Sequence, residues 1–320
     1  MTHLASYIST GRKAAFTVIA LGLISLGTGR DSAIELYATS IASNQIDRVD
    51  TVANTVTTYL NTLSAADSIM FDSAQRVIYT QLFTGDVLRY DPTSSNNVTI
   101  AGGFNEPADI VLEPGGNTML VSEFLGGKID RISLTNGAVS TLLTPGGNPE
   151  GLAYDGSRLF ANLGLRSTGA QKFVAEIDPV TGAILAQSPL LSSLDGLAYD
   201  PYSGRLVASS LFGDCVYSIN PTNLSDVVNI TAKLGIIPRP DGITTDGTGD
   251  LYVASSGSLG DSHIYQIDLV TQTLTQETFV YGLDDLAPAS GLGAIPEPSP
   301  LALVTLGLPA LLVASRRMKK

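Results

Sequence analysis

Only one of the 320 residues is a cysteine, Cys215, and only two are histidines. A single thiol cannot close an intramolecular disulfide, so stability outside a reducing compartment must come from packing and closure. Cys215 lies in the alternating run DCVYSIN and reads as a small buried hydrophobe. His3 sits near the N-terminus, which leaves His263 alone in the body, in the strand-like run SHIYQID. No histidine cluster can therefore hold a metal there, and no histidine-based triad is readable. A nucleophile elbow and a P-loop are also missing. Charge is scarce at 15%, and positive charge scarcer still: residues 34–295 hold 11 basic and 28 acidic side chains, a net charge of −17. Such a surface repels phosphate backbones and argues against nucleic acid as a partner.

What the chain does have is 44% hydrophobic residues, ample for a core, in short runs separated by Gly, Ser, Thr and Asn. That texture predicts an all-β fold with many turns. The runs also repeat. ADSIMFDSAQRVIYTQ, PADIVLEPGGNTMLVSE, PEGLAYDGSRLFANL, LDGLAYDPYSGRLVASS and PDGITTDGTGDLYVASS begin near residues 66, 107, 149, 194 and 240, and LDDLAPAS opens a sixth unit at 283. Their second residues stand at 67, 108, 150, 195, 241 and 284, a period of 41–46 residues that fits a four-stranded propeller blade.

In the fourth unit, GLAYD (Gly196–Asp200) reads as an innermost strand, followed by RLVASS, DCVYSIN and DVVNIT. Turns such as DPVTG, LTNG and DLVTQ recur at one place in the unit. Asp246 and Asp250 in TDGTGD match no EF-hand spacing and read as a hairpin turn. The stretch 34–60 supplies three later strands without a first, and 283–289 supplies a first strand with nothing after it. Joined, they close a ring of six blades with strands from both chain ends and leave no open edge. The expected fold over residues 34–290 is thus an all-β, six-bladed β-propeller. The repeat resembles the NHL-repeat and senescence-marker-protein/gluconolactonase superfamily of six-bladed propellers, on P-D-G-[IL] followed by a [LF]-[YFV]-x-[AS] strand.

First strands of a propeller line its channel, so Asp67, Glu150, Asp195, Asp241 and Asp284 should converge on one opening, with Ala108 as the gap in the ring. Crowded carboxylates must take up protons, gather a cation such as calcium, or stay apart in water. A second reading leaves each Asp capping its own turn before the following Gly. The gluconolactonase resemblance implies a divalent metal held at the positions of Glu150, Asp195 and Asp241. The Asn that completes that family's ligand set has no counterpart here.

The two ends read as addresses. Arg12 and Lys13 precede the apolar stretch Ala14–Leu26, the parts of an export signal, cleaved or kept as an anchor, over residues 1–33. At the other end, residues 291–320 hold Pro296, Glu297 and Pro298, an apolar run over 300–315 short for a membrane span, and the basic stop Arg316, Arg317, Lys319 and Lys320. This order resembles the PEP-CTERM sorting signal of Gram-negative bacteria. The resemblance implies a short transmembrane helix, recognition by an exosortase, and release or attachment at the cell surface. The expected protein is a monomeric, exported surface or matrix propeller that meets the export machinery and then extracellular polysaccharide or protein. It acts as a non-enzymatic binding module or, as the alternative, a metal-dependent lactonase-type hydrolase using the channel carboxylates.

Overall fold

A computed structural model describes residues 34–164, 171–257 and 262–288. The leader, the Pro296–Pro298 motif, the apolar run and the basic stop lie outside the described residues. Among these residues there is no helix; the chain forms six antiparallel sheets, each of four main strands, here a to d from the axis outward.

Blade 2 runs Ala66–Phe71, Val77–Gln81, Asp86–Asp91 and Asn96–Gly102. Blade 3 runs Pro107–Leu112, Thr118–Glu123, Lys128–Ser133 and Val139–Leu143. Blade 4 runs Pro149–Tyr154, Leu159–Gly164, Gln171–Ile177 and Ile184–Gln187, with a short extra strand, Leu191–Ser192. Blade 5 runs Leu194–Asp200, Arg205–Ser210, Cys215–Asn220 and Asn223–Asn229. Blade 6 runs Pro240–Thr245, Asp250–Ser255, His263–Asp268 and Thr273–Phe279.

Blade 1 closes the ring as the partial repeats require. Its a strand is the C-terminal Leu283–Pro288, and its other three are Glu35–Ser40, Gln45–Asp50 and Thr55–Asn61. Leu36 pairs with Pro288 and Ser40 with Leu283, so the seam between the first and last described strands is an antiparallel ladder with one bulge.

The inner strands are apolar on both faces because both are covered, whereas the outermost d strands are largely exposed. In ELYATS, Leu36 and Ala38 pack toward blade 6 with Tyr252 and Ile264, while Tyr37 turns toward blade 2 with Phe71 and Tyr79. Six such clusters fill the six interfaces between neighbouring blades. Cys215 is buried, as its run predicts, and His263 lies in a c strand with its ring edge-on to Phe279 at 5.5 Å. The turns after the c strands are Asx turns: Asp178 Oδ1 accepts from Val180 N and Thr181 N, and Asp268 Oδ1 from Val270 N and Thr271 N. Asp246 does the same for Thr248, Gly249 and Asp250 in the hairpin expected there.

Candidate functional site: an acidic channel mouth

Every a strand slips register near its start against its b strand, as between Ala66 and Ile69 or between Pro240 and Ile243. This bulge leaves an N–H of the a strand without a ladder partner, and in four blades a Thr or Ser at a fixed place in the b strand accepts it. Ser68 N donates to Thr80 Oγ1 at 2.9 Å, Asp109 N to Ser122 Oγ at 3.0 Å, Gly196 N to Ser209 Oγ at 2.8 Å and Asp285 N to Thr39 Oγ1 at 2.8 Å. Two of these residues, and Asn162 at the corresponding place in blade 4, also reach the next blade. Thr39 Oγ1 donates to Asp67 O at 2.6 Å, Asn162 Nδ2 to Asp195 O at 2.6 Å, and Ser209 Oγ to Asp241 O. They pull the inner strands together around the axis, a role the repeat pattern did not reveal. Its only trace in the sequence is a Thr, Ser or Asn in an otherwise apolar strand.

Glycine permits the same close approach. A Cβ on Gly151 would stand 2.5 Å from Asp195 O and from Leu197 N, and one on Gly196 would stand 2.7 Å from Asp241 O. Both obstacles are backbone of the neighbouring blade and cannot turn aside.

The bulges deliver Asp67, Glu150, Asp195, Asp241 and Asp284 to one end of a central cavity of about 310 Å³, as the spacing predicted. Ala108 is the gap in the ring. One place further along the strand, Asp109 in blade 3 and Asp285 in blade 1 also line the cavity. A second layer results: Ser68 Oγ lies 2.8 Å from Asp109 Oδ1 and 3.1 Å from Asp285 Oδ2, and Leu152 N donates to Asp109 Oδ2 at 2.6 Å. Seven a-strand carboxyls thus share the cavity. Its other end is apolar and aromatic, lined by Phe71, Tyr154, Tyr199 and Pro288.

Burial is the main force on these groups. It drives the Asp67, Asp241 and Asp284 carboxyls well above their usual range, and their neighbours' negative charge adds to the shift. Asp195 is raised by burial too, against the opposing pull of Lys172. Asp109 is pushed up to about 8 and Asp285 to about 6, again by burial first.

Glu150 has its own counter-ion: Lys172, from the c strand of the same blade, pairs with its Oε2 and donates to Leu194 O at 2.7 Å. Burial brings the Lys172 amine down to about 8, although Asp195 and Asp241 favour its charge. Lys172 lies 22 residues from Glu150 and carries no motif, so sequence reasoning missed it. Among the described residues, no group of three or more His, Cys, Asp or Glu side chains is arranged to hold a metal ion. A cation held by Glu150, Asp195 and Asp241 would first have to displace Lys172 from Glu150.

No protein-family model matches the chain, and no curated protein matches it in sequence. Its backbone does match solved structures. The propeller of a nidogen/laminin complex superposes with a TM-score of 0.68 at 18% identity, covering 80% of this chain and 98% of that one. Virginiamycin B lyase from Staphylococcus aureus gives 0.55 at 16% identity, covering 77% and 80%. Kuenenia stuttgartiensis hydrazine synthase gives 0.56 at 16% identity, covering 73% of each chain. The fold is a six-bladed β-propeller. At these identities the likeness concerns fold alone, and the neighbours include both a protein in a binding complex and lyases.

Proposed function

We propose that this chain is an exported binding module, displayed at the cell surface or in extracellular matrix, whose recognition site is the acidic mouth of the channel. One observation carries the reading: seven carboxyls from the inner strands share a cavity of about 310 Å³ whose far end is apolar. A concave, largely apolar site with a few convergent polar groups is the general form of a binding pocket. The buried carboxyls are costly to ionise alone, so a positively charged ligand group gains from entering.

The topology suits display. Ile34 and Pro288 both stand at the face opposite the mouth, since Ser40 and Leu283 mark the mouth end of the seam. An anchor within residues 291–320 would leave the mouth turned away from its point of attachment. Sorting through Pro296, Glu297 and Pro298 by an exosortase is part of this proposal. Mass spectrometry of the mature termini tests it, and an intact end at Lys320 would count against processing.

The alternative is a metal-dependent hydrolase of lactones or small esters, favoured by the placement of Glu150, Asp195 and Asp241 on consecutive a strands. It requires Lys172 to release Glu150. A lactone-hydrolysis assay of the chain, with and without chelator and beside Asp241→Ala, separates the two. The binding reading expects no metal-dependent turnover; turnover that chelator and Asp241→Ala both abolish would replace it with the hydrolase.

A further inference from the structure

The hairpins joining b and c strands stand on the same face as the acidic mouth, because the end of each b strand pairs with the start of its a strand, Ala66 with Gln81 and Leu194 with Ser210. Each tip is tied to the loop that enters the a strand. Leu82 N donates to Ala65 O at 2.9 Å, Phe124 N to Glu106 O at 2.8 Å and Leu211 N to Ser193 O at 2.9 Å. A tight surface turn of this kind is ordinarily polar.

Here the four described tips instead hold a large exposed apolar residue: Ile41, Phe83, Leu125 and Phe212. Two entry loops add Leu63 and Ile236 to the same face. Phe83 is 76% exposed, Phe212 63% and Leu63 92%. On the opposite face the large exposed apolar residues are Val52, Val180, Tyr202 and Val270, three of them valines. The crown of Phe, Leu and Ile therefore surrounds the acidic mouth and not the far end. Leu82 and Phe124, beside the crown residues, line the cavity itself and join crown to mouth. An apolar patch repeated around a site marks an interaction surface. Among the described residues, the cations on this face include Lys128, held by Glu123 and Asp130, and Lys233, exposed in the loop that carries Ile236. Lys172 is engaged by Glu150, and Arg239 stacks on Phe212 at 5.4 Å.

We propose that this face docks a polypeptide presenting a lysine or arginine flanked by apolar side chains, with the cation in the acidic mouth and the flanking groups on the crown. The proposal rests on reading the mouth as the recognition site and adds the class of partner. Charge complementarity selects the occupant. A second copy would bring acidic mouth to acidic mouth, an anionic membrane would be repelled, and a small cation would leave the crown unused.

The test immobilises the full chain and passes heptapeptide pools with Lys fixed at the centre and Leu, Ile, Val or Phe on either side. A second pool carries norleucine at the centre, alike in length but uncharged. Phe83→Ser/Phe212→Ser removes crown residues, Asp67→Asn/Asp284→Asn removes mouth charge, and thermal melts show that both variants stay folded. Retention of the Lys pool at least about tenfold above the norleucine pool, and a loss of about tenfold in either variant, is the expected result.

Equal retention of the two pools, or none, overturns the proposal. If n-butylammonium competes fully and the crown variant binds like the wild type, the mouth takes small cations; docking fails while the mouth reading stands. If the mouth variant retains the Lys pool unchanged, both readings fail. Binding to phosphatidylcholine vesicles that depends on Phe83 and Phe212 but not on Asp67 and Asp284 would make the crown a membrane face and also overturn it.

Discussion

Replacing Asp109 with Asn should stabilise the protein at neutral pH and flatten its pH dependence. Asp109 lies in the second layer of the channel, where Ser68 Oγ is 2.8 Å from one carboxyl oxygen and Leu152 N donates to the other at 2.6 Å. Burial and the nearby Asp285 carboxylate raise it from 3.8 to about 8. The sign follows from proton binding. A raised folded value means that the native state keeps a proton the unfolded chain has released; the stabilisation is full below pH 3.8 and is lost as pH rises through about 8. At pH 7 the cost to the wild type is at most about 4 kcal/mol, from 1.36 kcal/mol per pH unit.

Asn keeps an acceptor for Leu152 N or Ser68 Oγ, supplies a fixed donor where the acid carried its proton, and cannot ionise. Turn and ion-pair carboxyls with lowered values, such as Asp155 beside Arg158 and Glu113 beside Arg131, act in the opposite sense but only below their usual range. Between pH 5 and 8 the channel acids therefore set the slope. Urea unfolding of wild type and Asp109→Asn at pH 5, 6, 7 and 8 gives the assay. The wild type should weaken steadily with pH, and the variant should gain on it by a few kcal/mol at pH 8. A variant destabilised equally at every pH would refute the reasoning, as would wild-type stability that rises across this window.

Two further substitutions test the ring. Gly151→Ala sets a Cβ 2.5 Å from backbone atoms of blade 5 and should cost about 3 kcal/mol, whereas Gly103→Ala meets nothing within 4 Å and pays only for its φ of +89°, about 1 kcal/mol; equal urea midpoints would contradict the close inner packing. Truncation after Gly282 removes the a strand of blade 1 with its buried Leu283 and Leu286, and should abolish the single cooperative melt that truncation after residue 290 retains. An unchanged melting temperature would mean that the seam contributes nothing.

The blade count and the closure were readable because each blade repeats one hydrophobic unit, and because residues 34–60 and 283–289 are complementary fragments of it. The mouth carboxylates were readable for the same reason: Asp67, Glu150, Asp195, Asp241 and Asp284 hold one place in the repeat. What escaped depends on contacts between strands. Asp109 stands one place further along its strand than Ala108, beside Ser68 and Asp285, so the repeat position that marks the mouth carboxylates does not point to it. Lys172 meets Glu150 across the sheet of blade 4 from a buried position near the start of its strand. The crown did leave a trace, the short runs LFTG, FLGG and LFGD at corresponding hairpins. An apolar turn tip counts against a hairpin until the mouth beside it is known.

The most direct measurement is a pH titration of carboxyl-labelled aspartates by carbon NMR, on the full chain, without and with the Lys-centred peptide pool. If crowded, buried carboxyls await positive charge at this mouth, the Asp109 and Asp285 resonances should titrate near 8 and 6 in the free protein. Those of Asp67 and Asp284 should shift to lower pH when the peptides bind. Channel aspartates already ionised at pH 5 and unmoved by the peptides would contradict the account.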